Sequence, residues 1–572
     1  MKTPTSDVFE TAWQCHQAGE LRQAEELYRR ILQREPRNGR VWFVLANLVE
    51  SQQRLAEAVA YYRQALEIEP REGLGYFHLA NALLQQKEWA EAEPAFRRCL
   101  ELQPGHIEAL VNLGFVLSEQ NRHVEAEACC RQALALKPDQ AEIHHNLGNA
   151  LREQNKHDEA IEHYREALRL RPDYAKCEVN LGVALIAQGN SGEAIQRLRR
   201  GVELDPDFAE AYNSLGAAVS VERRFDESLE YYAHAIRLKP DYPDAHWNRS
   251  LVWLLTGDFE RGWPAYEWRW RCTRIGPVPD YSQPRWDGAP LQGRTVLLHA
   301  EQGLGDTLHF VRYAALVKAR GGRVIVQCQP PLKRLLASCP GIDLLIGQGE
   351  PLPHFDVWAA LLSLPAVFGT DLSTIPANVP YLSAEAELVE HWRRELTPLD
   401  GFRIGVSWQG SPRHPWDRHR SAALADLAPL ARIPGVRLIS LQKNPDADIA
   451  SFNRWLGPSV GDAAAAAPAA LLSLGGAVDE AAGPFMDTAA IMRNLDLVVS
   501  VDTAVAHLAG ALGVPTWLAL NYSPDWRWLL ERADSPWYPT MRLFRQPALG
   551  DWSSVFAQMA VELSKLVMPP TG

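Results

Sequence analysis

Three stretches of the chain place ionisable or hydrogen-bonding side chains where a strand gives way to a loop or helix. The first is Gly303-Leu304-Gly305-Asp306, continuing into Thr307-Leu308-His309. Its glycines permit a tight turn, and a helix start beside them favours an anion or a carboxylate. Asp306 has two readings at this point, a reactive carboxylate or the cap of the helix. The second is Ser407-Trp408-Gln409-Gly410, leading into SPRHPWDRHRS, which gathers Arg413, His414, Arg418, His419 and Arg420. Clustered guanidinium groups near a cleft suit a diphosphate, and the other reading is a solvated surface loop. The third is Val501-Asp502-Thr503-Ala504-Val505-Ala506-His507, running into LAGALGVPTW. A helix is expected to begin near Thr503 with Asp502 as its cap, its free amides facing an anion and His507 one turn in. An ordinary capped helix is the alternative.

These loops need strands behind them. From Arg294 the sequence reads as short apolar runs separated by helical stretches: TVLLHA, RVIVQC, IDLLIG and DVWAALL. The helix after the first is expected over Thr307 to Arg320. Past a Pro-rich, acidic connector at about 372–400 come FRIGVSW, VRLISL, LDLVVSV and PTWLAL. Strands alternating with helices imply parallel sheets covered on both faces. Two such units make paired Rossmann-like lobes, 294–400 and 401–572, with ligands expected at the carboxyl ends of the strands.

The first half follows a different rule. Prolines recur at 36, 70, 104, 138, 172, 206 and 240, a constant step of 34 residues. With proline as position 32, position 8 is small (Ala46, Ala80, Gly114, Gly148, Gly182, Gly216). Position 20 is alanine from Ala24 to Ala194, and position 24 is mostly aromatic: Tyr28, Tyr62, Phe96, Tyr164 and Tyr232. Small residues let two antiparallel helices approach, an aromatic ring fills the gap to the next pair, and the proline ends the second helix. This code resembles the tetratricopeptide repeat family. It implies an α-helical solenoid over 1–276, with seven repeats over 5–242 and a degenerate eighth that caps it. Position 6 carries Asn112, Asn146, Asn180 and Asn248. The ladder is similar to the peptide-holding groove of repeat-bearing O-linked GlcNAc transferases, and the other reading is that these amides pack within the array. Six tryptophans, Trp247, Trp253, Trp263, Trp268, Trp270 and Trp286, crowd the junction together with arginines. Buried docking of the last repeat is the main reading there, and single-stranded RNA binding the lesser one. The stretch 277–293 reads as an extended linker.

GLGDTLH, WQGSPRHPWDRHRS and VDTAVAHLAGALGVP together resemble glycosyltransferase family 9, the heptosyltransferase-like group of bacterial type with the GT-B fold. The resemblance covers about 294–568. It implies an inverting enzyme without a bound metal or other cofactor, using a nucleotide-sugar as substrate. It implies Asp306 as the base that takes the acceptor's proton. Gly303, Gly305 and Trp408 belong to the donor side, with Arg418 and Arg420 on the diphosphate. Asp502, Thr503, Ala504 and His507 hold the donor's diphosphate and sugar. Arginines stand where heptosyltransferases place a lysine. The final helix, Trp552–Val567, is expected to cross back to the first lobe. Asp446-Ala447-Asp448 matches the metal-binding Asp-x-Asp of another glycosyltransferase fold but lacks its context, so a polar loop cap is the expectation there.

Composition bounds the rest. Apolar residues are 47%, charged residues 22%, and the net charge is -12. The acidic excess is spread over both halves, which argues against nucleic acid as a partner. No signal peptide or membrane span is expected. The Ala-rich 463–478 stretch reads as a loop, and the eight cysteines read as free thiols of a cytoplasmic protein. The expected partners are a nucleotide-sugar and a protein or peptide in the groove. The competing expectation is an interaction scaffold with an inactive transferase-like unit.

Overall fold

The computed structural model describes residues 4–273, 278–411, 417–443, 446–457 and 470–567. Contacts divide the chain into two units, 1–214 and 215–572. The N-terminal region is all-helical, with sixteen helices from Pro4–Gln17 to Phe259–Tyr266. In the first unit the second helix of each repeat ends two residues before its proline, at Arg34, Ile68, Leu102, Leu136, Leu170 and Leu204. Proline disfavours helical geometry in the residue before it, so each helix stops there.

The small residue at position 8 has a specific partner. A Cβ on Gly148 would meet the Tyr164 ring at 2.6 Å, and one on Gly182 would meet Leu198 at 2.6 Å. The position-24 ring therefore fills the crevice opened by its own repeat's glycine, and at Tyr62 it also stacks on His78 of the next repeat, 5.9 Å between ring centres. Two further periodic features hold the array. The turn inside each repeat has a left-handed residue every 34 positions: Gly19, Gln53, Lys87, Asn121, Asn155 and Gly189. An arginine at position 25 pairs with the glutamate at position 19 of the next repeat, as in Arg97–Glu125 (3.1 Å), Arg131–Glu159 (3.0 Å) and Arg165–Glu193 (3.0 Å). These are exposed pairs of small individual worth that fix repeat-to-repeat register.

The second unit takes in the last repeats and two parallel sheets. The first has strands β1 (Thr295–His299), β2 (Arg323–Cys328), β3 (Leu344–Gly347) and β4 (Val357–Ala360) in the order β3-β2-β1-β4. The second has β5 (Phe402–Ser407), β6 (Val436–Ser440), β7 (Leu497–Val501), β8 (Thr516–Leu520) and β9 (Met541–Arg545) in the order β6-β5-β7-β8-β9. The order reverses between β1 and β4 in one sheet and between β5 and β7 in the other, where such sheets open a crevice. One apolar cluster takes in Val296, Leu298 and Val326 of the first sheet and Val498, Leu518 and Leu543 of the second.

Four expectations change. The terminal helix Trp552–Val567 does not cross to the first sheet. Its apolar stripe of Trp552, Val555, Phe556, Met559 and Leu563 is buried with Ile404, Leu438 and Val499 on the second sheet's own face. The connector contains a helix, Ala386–Leu396, which buries Leu396 and whose Trp392 indole donates to Asp487 at 2.8 Å. The helix after β1 is short, Leu304–Phe310, followed by a tight turn and a second segment, Ala314–Lys318. The 278–293 stretch is pinned to β4: Trp286 N donates to Trp358 O at 2.7 Å and Trp358 N donates to Pro284 O at 3.2 Å. It covers a sheet edge that would otherwise stand open.

Gly148→Ala is expected to lower stability by about 1–3 kcal/mol, because the Tyr164 ring cannot leave its crevice without disturbing the repeat. Urea unfolding followed by circular dichroism checks this, and an unchanged midpoint would count against the ring-on-glycine packing.

Candidate functional site

The Asp306 and His507 loops meet. Helix Leu304–Phe310 packs on helix Ala504–Ala511, and the two come close at Gly305. A Cβ there would lie 3.0 Å from His507 Cδ2 and 3.5 Å from Ala504 Cα. Asp306 caps its helix and is also ion-paired. Its Oδ2 accepts from Gly303 N at 2.9 Å, capping the helix, while its Oδ1 forms an ion pair with Arg527.

Arg527 lies after β8 and was not anticipated from the sequence. Its guanidinium stacks over Trp526 at 4.4 Å and Phe310 at 5.3 Å and donates to Asp525 at 2.9 Å. Burial opposes its charge, but Asp525 and Asp306 hold its pKa above the ordinary arginine value. The loop YSPDWRW could have been flagged, because it follows a strand's carboxyl end and alternates rings with charge.

The third loop differs slightly from expectation. Thr503, not Asp502, is the N-cap of helix Ala504–Ala511, and no side chain caps it. The amides of the first turn are thus left for a ligand or water. Asp502 keeps 19% exposure, 4.0 Å from His507 Nε2. Burial, and then repulsion from Asp525, raise its pKa from 3.8 to about 6, with Arg420 and Arg527 opposing. Arg420 Nη1 donates to Asp502 O at 3.3 Å and its Nε to Asp417 at 3.2 Å. Arg418 stands exposed on the same turn. Arg413 and His414 lie outside the described residues.

His507 is 6% exposed. Burial, with Arg527, Arg312 and Arg420 around it, depresses its pKa well below the ordinary histidine value; His309 behaves likewise for the same first cause. Both rings are neutral, and both reach Tyr538 OH through Nδ1 at 3.0 Å. One hydroxyl hydrogen serves only one of them. His309 Nε2 is buried without a partner, so it is best left unprotonated. Tyr538 is also hydrogen-bonded to Tyr381 and Arg312, so its hydroxyl links both histidines to that pair.

A cavity of about 500 Å³ opens at the carboxyl ends of β5 and β6, lined by Trp408, Gln409, Ser421, Leu424, Phe452 and Trp455. Trp408 is 4% exposed, so it is as much core as lining. Asp448 borders this cavity. Gly410 N donates to Ser421 Oγ at 2.9 Å, which joins the cavity wall to the turn bearing Arg420.

The junction tryptophans are used up in packing. Trp263 donates to Thr370 O at 2.7 Å and its ring lies 5.2 Å from Trp526. Trp268 stacks on His246 at 3.8 Å, and Arg269 and Arg285 lie over Trp270. The asparagines are partly engaged too. Asn112 donates to Asn81 at 2.8 Å, and Asn180 donates to Asn149 at 2.9 Å while accepting from Arg152 at 3.2 Å. The two asparagine–asparagine bonds run from position 6 to position 9 of the preceding repeat. Asn146 and Asn248 are half-buried.

Two family models match the helical half. Residues 8–218 match the family described as cilia and flagella-associated protein 70 C-terminal domain, and residues 221–267 match the tetratricopeptide repeat family. Protein FlbA of Caulobacter vibrioides is 26% identical over 348 residues, 55% of this chain and 54% of that protein. The chain thus spans about half the length of this curated relative. Among solved structures, YrrB, a TPR protein with an unusual peptide-binding site, is 22% identical with a TM-score of 0.30, covering 32% of this chain and 95% of its own. A tetratricopeptide repeat protein from Parabacteroides merdae is 16% identical with a TM-score of 0.37, covering 43% and 98%. The N-terminal region is an array of tetratricopeptide repeats, a fold suited to holding protein or peptide. Among the described residues no helix is long and apolar enough to cross a membrane.

The pKa of Asp502 sets a pH test. A folded-state pKa above the unfolded one stabilises below about pH 4, and that contribution is lost as pH rises through 6. Asp502→Asn is therefore expected to be more stable than the native chain at pH 7.5, by about 1–3 kcal/mol, and nearly equal to it at pH 4. Urea unfolding at both pH values measures this; an equal difference at both would overturn it.

Proposed function

We propose that the protein is a glycosyltransferase of GT-B type, resembling family 9, which moves a sugar from a nucleotide-sugar to an acceptor recruited by the repeat array. The observation that carries this reading is the meeting of the Asp306 helix with the uncapped start of helix Ala504–Ala511 at Gly305. In the proposed step an Asp306 oxygen takes the proton of the acceptor hydroxyl. The hydroxyl oxygen bonds to the sugar's anomeric carbon as the bond from that carbon to the phosphate oxygen breaks. The nucleoside diphosphate leaves with the electron pair, its charge met by the free amides at Thr503 to Val505 and by Arg420. The cavity beside Trp408 and Trp455 has the size and aromatic lining for the nucleoside. Inversion follows from a single displacement, and Asp306 serves as base without a metal. An array built on tetratricopeptide repeats favours a polypeptide acceptor, with a surface-glycan precursor as the other acceptor class.

A second reading is an interaction scaffold whose α/β unit is inactive. It is favoured by the engagement of both Asp306 oxygens, one with Gly303 N and one with Arg527. For the first reading, the same ion pair is what aims Asp306.

A panel of nucleoside-diphosphate sugars separates the two. One donor is expected to release its nucleoside diphosphate, slowly to water and faster with an acceptor. Asp306→Asn, which can still cap the helix, is expected to lower turnover by about a hundredfold or more with nucleotide affinity retained. Undiminished turnover would remove Asp306 from the mechanism, and absence of binding by any nucleotide would favour the scaffold.

A further inference from the structure

The degenerate eighth repeat ends in a short turn, Glu267–Arg271, whose Arg269 is completely buried. Its guanidinium holds Glu301 with two bonds, Nε to Oε2 at 3.1 Å and Nη2 to Oε1 at 2.7 Å. The same Nη2 donates to Ser363 Oγ at 2.8 Å, and Ser363 donates to Glu267 at 2.8 Å. Glu301 follows β1 and Ser363 follows β4, so one arginine ties together the two strand ends where the first sheet reverses its order. Although burial opposes it, Glu301 and Glu267 keep Arg269 charged.

Glu301 is one residue from a strained position. Gln302 has φ 60, a left-handed conformation that side chains other than glycine and asparagine rarely adopt. It persists because it is clamped: Arg269 grips Glu301 before it, and Gln329 Nε2 donates to the Gln302 carbonyl at 3.2 Å. Gly303 comes next, and its N–H is the group that Asp306 caps. A second arm reaches Asp306 from the other side. Trp263 and Tyr266 of the eighth repeat lie 5.2 and 6.2 Å from Trp526. The Trp526 ring carries the Arg527 guanidinium, and Arg527 pairs with Asp306.

We propose that the eighth repeat is a positioning element of the site, with Arg269 setting the backbone before Asp306 and Trp263 setting Trp526 and Arg527 beside it. This rests on the transferase reading for its consequence in turnover, but not for its structural content. It assigns the end of the array a role apart from partner binding: it is one wall of the frame that aims the base.

The test compares the full-length chain with Arg269→Lys, which keeps a charge opposite Glu301 but cannot bridge Glu301 and Ser363 together. Backbone hydrogen exchange is followed by peptide, and turnover is followed with whichever donor the native chain uses. The proposal expects exchange in 300–306 to accelerate roughly tenfold with 436–443 unchanged. It expects kcat to fall by about tenfold to a hundredfold with the donor KM unaltered. Unchanged exchange in 300–306 of a folded variant overturns the proposal, as does an unchanged kcat in a chain that is otherwise active. If the native chain turns over no donor, the functional reading fails and exchange alone decides the positioning role. Should Arg269→Lys not fold, Trp263→Phe removes the bond to Thr370 while keeping a ring. It is expected to loosen 522–530 and lower kcat in the same sense, and no change in either measure overturns the Trp263 arm.

Discussion

The contact at Gly305 is the constraint on which the site depends. Two short helices from two different sheets touch there, and any side chain at 305 would meet His507 at 3.0 Å. Close packing leaves little slack to absorb even a methyl group. The glycine therefore sets how near the loop after β1 comes to the loop after β7. The apolar cluster that runs through both sheets supplies the cohesion, and Gly305 supplies the distance.

Once the helices are that close, charge must be handled in a small, dry volume. Three arginines sit inside it, and each is held by partners rather than by water. Arg527 lies between Asp306 and Asp525. Arg269 lies between Glu301 and Glu267. Arg312 donates to four oxygens, His309 O at 2.7 Å, Trp537 O at 2.6 Å, Tyr381 OH at 2.9 Å and Pro376 O at 3.4 Å. Unpaired, any of them would cost several kcal/mol. Burial first, and then the charges of Arg312 and Arg527, hold His309 and His507 well below the ordinary histidine pKa, and the Tyr538 hydroxyl lies 3.0 Å from each ring. Asp502 is the exception, a carboxylate held at the mouth where burial and Asp525 push against its ionisation. A group so balanced changes charge readily when a ligand alters the local field.

Much of the fold could be read from the chain, because it is written in short-range periodicity. One proline every 34 residues locates the helix ends, and β-branched runs locate eight strands. The ninth, Met541–Arg545, was missed because its two arginines break the apolar run. Helix Ala386–Leu396 was missed because a Pro-rich neighbourhood hid its amphipathic spacing. The loop glycines and Asp306, Asp502 and His507 were legible as types at strand ends. Their partners were not. Arg527 is 221 residues from Asp306 and Tyr538 is 229 from His309, and no local pattern encodes a bond over that distance. The terminal helix was misassigned for the opposite reason. Its length permitted a crossing, but its stripe of five apolar side chains matched the nearer sheet, and burial decides such a choice.

The irregular eighth repeat shows how the two kinds of structure were joined. In a regular repeat, position 20 is alanine, and a neighbouring repeat covers the helix beyond it. Here it is Gly262, where a Cβ would lie 2.5 Å from Leu254. Removing that one carbon lets helix Phe259–Tyr266 sink against the helix before it. Its next residue, Trp263, then reaches the Thr370 carbonyl and the Trp526 ring. The following turn swings Arg269 to the end of β1. The departures from the repeat code, glycine for alanine and tryptophans with arginines for a polar face, are therefore one adaptation. A terminal repeat with a solvated outer face would need none of them. These residues are explained by what they touch, which is the frame around Asp306.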